Sequence, residues 1–200
     1  LLPNMENNNK NYYISGNALI NIYHGLENAP NNIILPQQIH GDKIIEIITS
    51  DEKLDNCDAL ITKNRNFSLG IKPADCAAIC FTDGEMIGIA HIGWRGLCFS
   101  LIEKMMAKFH HENLNVLVGP FNYSFEIKKD FCFNKIREKF GDKYFTLNQG
   151  KITFLFKDAT MSLLPQNIQI DSRNTFEDLS LPSYRRDKTS KRLVTVISFK

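Results

Sequence analysis

No apolar run in the sequence approaches the ~18 residues that a membrane-spanning helix needs, and no charged-apolar-small pattern of a signal peptide is visible. An excess of one charge is also missing. Lys and Arg number 24 against 22 Asp and Glu, for a net charge of +2. Such a balance supplies no general field to hold nucleic acid or an anionic membrane, so neither is expected as a partner. Cysteines are few and odd in number, five at positions 57, 76, 80, 98 and 132 with no repeated spacing. That usage excludes a disulfide framework and leads to the expectation of reduced thiols in a cytoplasmic protein. Histidines also number only five, and tryptophan occurs once. There is no internal repeat and no linker long enough to divide the chain.

What remains is an ordinary globular composition over 200 residues, 43% hydrophobic and 23% charged, enough for one domain spanning 1–200 with its own core. The opening LLPNMENNNK lacks an initiator Met and is Asn-rich; residues 1–10 are expected to be loose or left over from cloning. NYYISGNALINIYHGL reads as one or two edge strands. NNIILPQQIHGDKIIEIIT reads as strand, turn, strand, with Gly41-Asp42 as turn chemistry. CDALIT and FSLGIK are short strands about a polar turn. CAAICFTDGEMIGIAHIGW is the clearest hairpin, two apolar runs joined by Asp83-Gly84. From Gly96 the period changes: Leu97, Leu101, Met105 and Phe109 recur at steps of four and predict one helix over about 94–110. A second amphipathic helix, IKKDFCFNKIREKF, is closed by Gly141. KITFLFKDATMSLLPQ is open between strand and helix, whereas NVLVGP, NIQI and RLVTVISF read as strands. Strands and helices mix without regular alternation, which predicts an α/β (α+β) fold, a single domain with mixed β-sheets flanked by helices.

Three segments place a metal-capable side chain at a turn or strand end: His40 in QQIHGD, Cys76 in PADCAA and His91 in AHIGWRG. Their intervals match no local finger motif. The proposed hairpin does bring Cys76 and His91 close, since both flank it at nearly opposite positions. Each has a plain alternative, His as a hydrogen-bonded structural residue and Cys as a small core residue. Cys80 is read as core, Trp94 as packing, and His110-His111 as complementing a helix C-terminus. SYRRDKTSKR is the one basic run; it suits a polyanion or a solvated turn equally.

QQIHGD, CDALIT, PADCAAI, AHIGWRG, VGP…FEI and SYRRD…T occur in this order in the YfiH family, which the chain resembles over about residues 33–198. That family is also called the laccase-domain or polyphenol oxidase family and is described as purine nucleoside phosphorylases. The resemblance implies a YfiH-like layered sandwich and a zinc site of His40, Cys76 and His91. It further implies phosphorolysis of adenosine and related nucleosides, with some deamination. Zinc accepts such ligands and keeps a fourth position open when catalytic. Gly93 and Gly96 are then expected to let the chain turn beside the metal. Arg95 is the candidate for phosphate at the start of the following helix, Arg185 is a weaker one, and Gln38 is a candidate for positioning base or ribose. Asp75 is either an orienting neighbour of Cys76 or a turn former.

The chain also departs from the family pattern. The Arg-Gly-Gly-Val-Ser-like loop is replaced by a stretch with Ser15 and Gly16 and no arginine, a familiar Cys after Gly-Pro is Phe121, and Ser172 stands where another Cys is expected. Three alternatives stay open. One is a copper-binding polyphenol oxidase, though five histidines are too few for a blue centre plus a trinuclear cluster. Another is a Cys-His hydrolase with Cys76 as nucleophile. The last is a degenerate, non-catalytic binding module.

Overall fold

The computed structural model describes residues 10–14, 17–166 and 168–200; the expectations for residues 1–9 and for Ser15 and Gly16 lie outside them. The strands are β1 (Lys10–Ile14), β2 (Ala18–His24), β3 (Ile33–Ile34), β4 (Ile44–Glu46), β5 (Ala59–Thr62), β6 (Ser68–Ile71), β7 (Ala77–Thr82), β8 (Ile87–Ile92), β9 (Asn115–Val118), β10 (Phe125–Ile127), β11 (Phe145–Asn148), β12 (Lys151–Phe154), β13 (Gln169–Ile170) and β14 (Leu193–Phe199). The helices are α1 (Trp94–Cys98), α2 (Leu101–Met106), α3 (Phe131–Phe140), α4 (Phe156–Met161) and α5 (Tyr184–Asp187). They build a mixed α/β domain of three sheets, in the orders β1-β2-β14-β6-β3, β13-β9-β7-β8-β5-β4 and β10-β12-β11. No helix among the described residues is long and apolar enough to cross a membrane, and all five cysteines are free thiols.

The six-stranded sheet is buried on both faces, which is why β7 and β8 read as continuous apolar runs rather than alternating ones. One face sends Ala78, Cys80, Ile87 and Ile89 against Ile20, Leu69 and Ile197 of the five-stranded sheet. The other sends Ile79, Phe81, Ala90 and Ile92 against the helical layer of Leu97, Leu101, Met105, Ile136 and Phe156. The β7–β8 hairpin turns as the sequence predicts. Gly84 takes a positive φ of 95°, and Asp83 Oδ1 accepts the amides of Glu85 and Met86 at 3.0 and 2.9 Å.

Two sequence expectations need correction. The segment around His40 is no hairpin: β3 pairs in parallel with β6 in one sheet, and β4 in parallel with β5 in another. Loop 35–43 therefore bridges two layers; Gln37 N–H donates to the Leu54 carbonyl and the Lys43 carbonyl accepts Asp58 N–H, while the amides of residues 39–41 go to a side chain described below. CDALIT and FSLGIK do form short strands, β5 and β6, and the two enter different sheets. The helix expected over 94–110 is broken at Phe99–Ser100, where Ser100 adopts φ 61°. Lys139 of α3 compensates the break, its ammonium donating to the Leu97 carbonyl, Ser100 Oγ and Glu103 Oε1 at 2.6, 2.8 and 2.7 Å. The ambiguous stretch from Lys151 resolves into β12 followed by α4.

Gly88 lets the helical layer settle on β8: a Cβ there would stand 2.8 Å from Phe109 Cζ and 2.9 Å from Ile61 Cγ2. Gly88→Ala should therefore destabilise the protein by about 1–3 kcal/mol through overpacking, read as a lowered denaturant midpoint at unchanged m-value.

Candidate metal centre

His91 is the fifth residue of β8 and faces Ala78 across the hairpin. Cys76 precedes β7, and His40 sits in the loop between the two large sheets. The structure brings all three together: their ligand atoms lie within 4.8 Å of one another, and among the described residues this is the one group of three or more His, Cys, Asp or Glu side chains so placed. The imidazoles of His40 and His91 meet edge to face, with centroids 4.7 Å apart. Gly93 is required here by closeness rather than by turning. Its φ is −101°, but a Cβ would stand 3.1 Å from both Cys76 Sγ and His40 Cδ2. Gly96 carries no such constraint, its nearest neighbour lying at 3.6 Å.

One carboxylate arranges this cluster, and the sequence reading missed it. Asp58, fully buried, accepts the amides of Ile39, His40 and Gly41 at 3.1, 2.9 and 2.6 Å and meets His91 Nδ1 at 2.8 Å. Its own carbonyl accepts the His91 amide at 2.7 Å. These bonds hold His40 at a positive φ of 63°, uncommon for a non-glycine residue. They also fix the His91 ring so that Nδ1 is taken and Nε2 is left as the metal-capable atom. Burial alone would raise the pKa of Asp58, but the bonds from His91 and the amides of Gly41 and Ile39 hold it below the usual carboxylate range.

The donors suit a metal ion. Burial opposes ionisation of Cys76, but His91 and His40 overcome it and pull the thiol down to about 6. Burial also opposes the charge on His91, and Cys76 and Asp58 in turn hold the ring up, to about 9. The cluster thus favours a thiolate, the form that binds metal, and a metal at the triad would displace the proton that the thiolate otherwise holds on His91 Nε2. A tetrahedral zinc with Zn–N of about 2.0–2.1 Å and Zn–S of about 2.3 Å needs ligand atoms about 3.3–3.6 Å apart, a modest contraction of the spacing present. Three protein ligands would leave one position facing an open groove of about 2110 Å³ that His40, Cys76 and His91 line together with Trp94, Lys72 and Arg185. A multicopper arrangement does not fit. His24 stands at the end of β2 and His110 and His111 lie beyond α2, so no second cluster of imidazoles assembles among the described residues.

Of the other site candidates, Arg185, Gln38 and Asp75 line the groove and Arg95 does not. Arg95 is exposed, leans over the Trp94 ring at 5.4 Å and is absent from the groove lining. The helix meant to aid it, α1, has only five residues. Arg185 does line the groove, with its guanidinium 3.7 Å over the Phe125 ring. Gln38 is not on a strand and its amide is engaged: Oε1 accepts Lys72 N–H at 2.8 Å and Nε2 reaches the Lys72 carbonyl at 3.4 Å. It pins the His40 loop to the approach to Cys76. Asp75 is structural as well as adjacent to the site. At φ 85° it accepts Thr175 Oγ1 at 2.9 Å and the Arg185 amide at 2.6 Å, which places α5 on the groove. Trp94 is half-buried against the core and also faces the groove. Phe121, where the resemblance leads one to expect Cys, is buried against Tyr123 and Phe156; Ser172 is exposed.

Comparison with known proteins adds the following. Residues 15–200 match the family described as multi-copper polyphenol oxidoreductase laccase. A purine nucleoside phosphorylase of Aquifex aeolicus (strain VF5) is 32% identical over 173 residues, 82% of this chain and 82% of that protein. The crystal structure of the Bacillus licheniformis hypothetical protein YfiH superposes with a TM-score of 0.73 at 26% identity, covering 84% of this chain and 74% of that one. The Neisseria meningitidis protein NMB0706 shares the fold with a TM-score of 0.83 at 17% identity over 98% of this chain and 100% of its own.

Two substitutions test the centre. Cys76→Ser should abolish stoichiometric zinc binding, measured by titration of apo-protein, while the melting curve in chelator stays near wild type. Asp58→Asn leaves a carboxamide facing four donors; zinc affinity should fall about 10–100-fold. Because the folded-state pKa of Asp58 is depressed, the stability it contributes is complete above about pH 4 and lost as pH falls through the lower folded value. The acid limb of stability against pH should therefore be shallower in Asp58→Asn than in wild type.

Proposed function

The chain belongs to the family described as multi-copper polyphenol oxidoreductase laccase, the YfiH family, and from that premise we propose that it is a zinc-dependent purine nucleoside phosphorylase acting on adenosine and related nucleosides, with some adenosine deamination. The observation that carries this reading is the His40, Cys76 and His91 cluster opening on a groove that also presents Arg185 and Lys72. The name of the Aquifex relative supports it.

Phosphorolysis needs an anion beside the ribose C1′, stabilisation of the departing purine, and exclusion of competing water. Zinc, when bound at the triad, supplies a Lewis acid at the purine end of the groove. Asp58 keeps a proton on His91 Nδ1 and so directs Nε2 inward. The indole of Trp94 offers flat apolar surface beside the triad for a purine. Arg185 is the phosphate candidate: it lines the groove, and its backbone amide is bonded to Asp75, the residue before Cys76, so anion and metal would be held in one frame. Lys72, whose backbone Gln38 clamps, adds a second positive charge with no ion pair among the described residues. Arg95, outside the groove, is left as a surface residue. Gln38 positions the loop rather than the substrate.

Purified protein given adenosine and phosphate should release adenine only when phosphate is present, with ribose 1-phosphate as the second product. Arg185→Ala should lower kcat/KM for phosphate about tenfold or more, while Arg95→Ala should stay within about twofold of wild type, as a surface charge does. Adenine release independent of phosphate, or the reverse order of the two arginines, would overturn the assignment.

A further inference from the structure

The groove is larger than cleavage of a nucleoside requires. Its volume of about 2110 Å³ exceeds the ~300–1,000 Å³ of a small-ligand site. The triad lines it together with Lys72 and residues 188–192, the segment between α5 and β14. The carbonyl of Pro73, next to Lys72, accepts the Leu193 amide at 2.9 Å, and Gly25 N–H, in the turn after β2, donates to the Arg192 carbonyl at 3.0 Å.

The segment 188–192 is basic, and its lysines are not ion-paired. Lys188 and Lys191 both line the groove and both are exposed. Neither has an ion pair among the described residues. Lys188 is held at φ 53°, with its ammonium 5.3 Å over the Tyr184 ring. The acidic groups on the groove are Glu27, Asp75 and Asp187. Asp75 accepts only neutral donors, the Thr175 hydroxyl and the Arg185 amide, and keeps its charge beside Cys76, whereas Asp187 is paired with Arg186 at 2.7 Å. Among the described residues, Glu27 and Asp75 are thus the unpaired acids on the groove, against Lys72, Lys188 and Lys191.

We propose that residues 188–192 form an anion subsite and that the site takes a purine nucleoside carrying phosphate at its 5′-oxygen. This rests on the reading of the groove as a nucleoside site. The scissile bond is at C1′, so a base directed to the triad leaves the 5′-oxygen on the side away from the metal ligands, where Lys188 and Lys191 of the same groove would meet its phosphate. The reaction is unchanged by the appendage. The C1′–N9 bond breaks, a phosphate oxygen bonds to C1′, and the proton given up by the hydrogen phosphate ends on the leaving purine.

The test is calorimetric titration of the zinc-loaded full chain with adenosine, AMP, ADP and inorganic pyrophosphate. AMP and ADP should each bind about tenfold or more tightly than adenosine, by a margin that shrinks with added salt. A Lys188→Ala/Lys191→Ala variant should lose that margin while its adenosine affinity and adenosine phosphorolysis stay at wild-type levels, and arginine at both positions should restore it. Equal affinity for adenosine and ADP, a margin that survives the alanine pair, or pyrophosphate binding as tightly as ADP would each overturn the proposal. Adenosine cleavage without a 5′-phosphate preference overturns this subsite alone. A lysine-dependent ADP preference without phosphate-dependent cleavage keeps the subsite and overturns the reaction.

Discussion

A single buried carboxylate, Asp58, underlies the whole candidate centre. Taking a charge out of water is costly unless its lone pairs are filled, and here four donors converge on it, three of them consecutive amides. Those amides belong to a loop with no strand partner of its own, so the carboxylate replaces the ladder that loop 35–43 would otherwise need. The fourth donor is the His91 ring. One group therefore shapes the loop that presents His40, sets the orientation of His91 and biases the cluster toward a thiolate. Removing it would disturb the backbone and the chemistry together.

The layered architecture explains why the centre sits where it does. The two large sheets pack face to face, with the His40 loop crossing from one to the other. The β7–β8 hairpin brings Cys76 and His91 to the same edge from the more buried sheet. Gly93 then keeps the exit from β8 free of side chain at the one point where the two ligands from different layers meet. Asp75, next to Cys76, ties α5 to this edge, so Arg185 is delivered to the groove by the same short stretch that supplies the thiol.

Much of this was legible in the sequence, and the failures have definite causes. The β7–β8 hairpin announced itself through two apolar runs and Asp-Gly, and that pairing already placed Cys76 near His91. The His40 segment read as strand, turn, strand, but flanking apolar runs look the same whether they pair with each other or, as here, with strands far away. Asp58 lay in plain view within CDALIT, but nothing local marks a carboxylate whose partners are 17 to 33 residues distant. Arg95 drew attention by proximity to His91 along the chain, and Gln38 by proximity to His40. Three dimensions favour Arg185 instead, brought in from 110 residues after Asp75. The helix break at Ser100 escaped notice because the apolar period of four continues across it.

The family's laccase description and the ligand supply of this chain point in different directions, since one two-imidazole, one-thiolate cluster is all that assembles among the described residues. X-ray absorption on the purified, metal-loaded protein addresses this most directly. The account predicts one zinc per chain at a K-edge spectrum fitted by a single sulfur at about 2.3 Å and two imidazole nitrogens at about 2.0–2.1 Å. A site without sulfur, or stoichiometric copper in place of zinc, would contradict it.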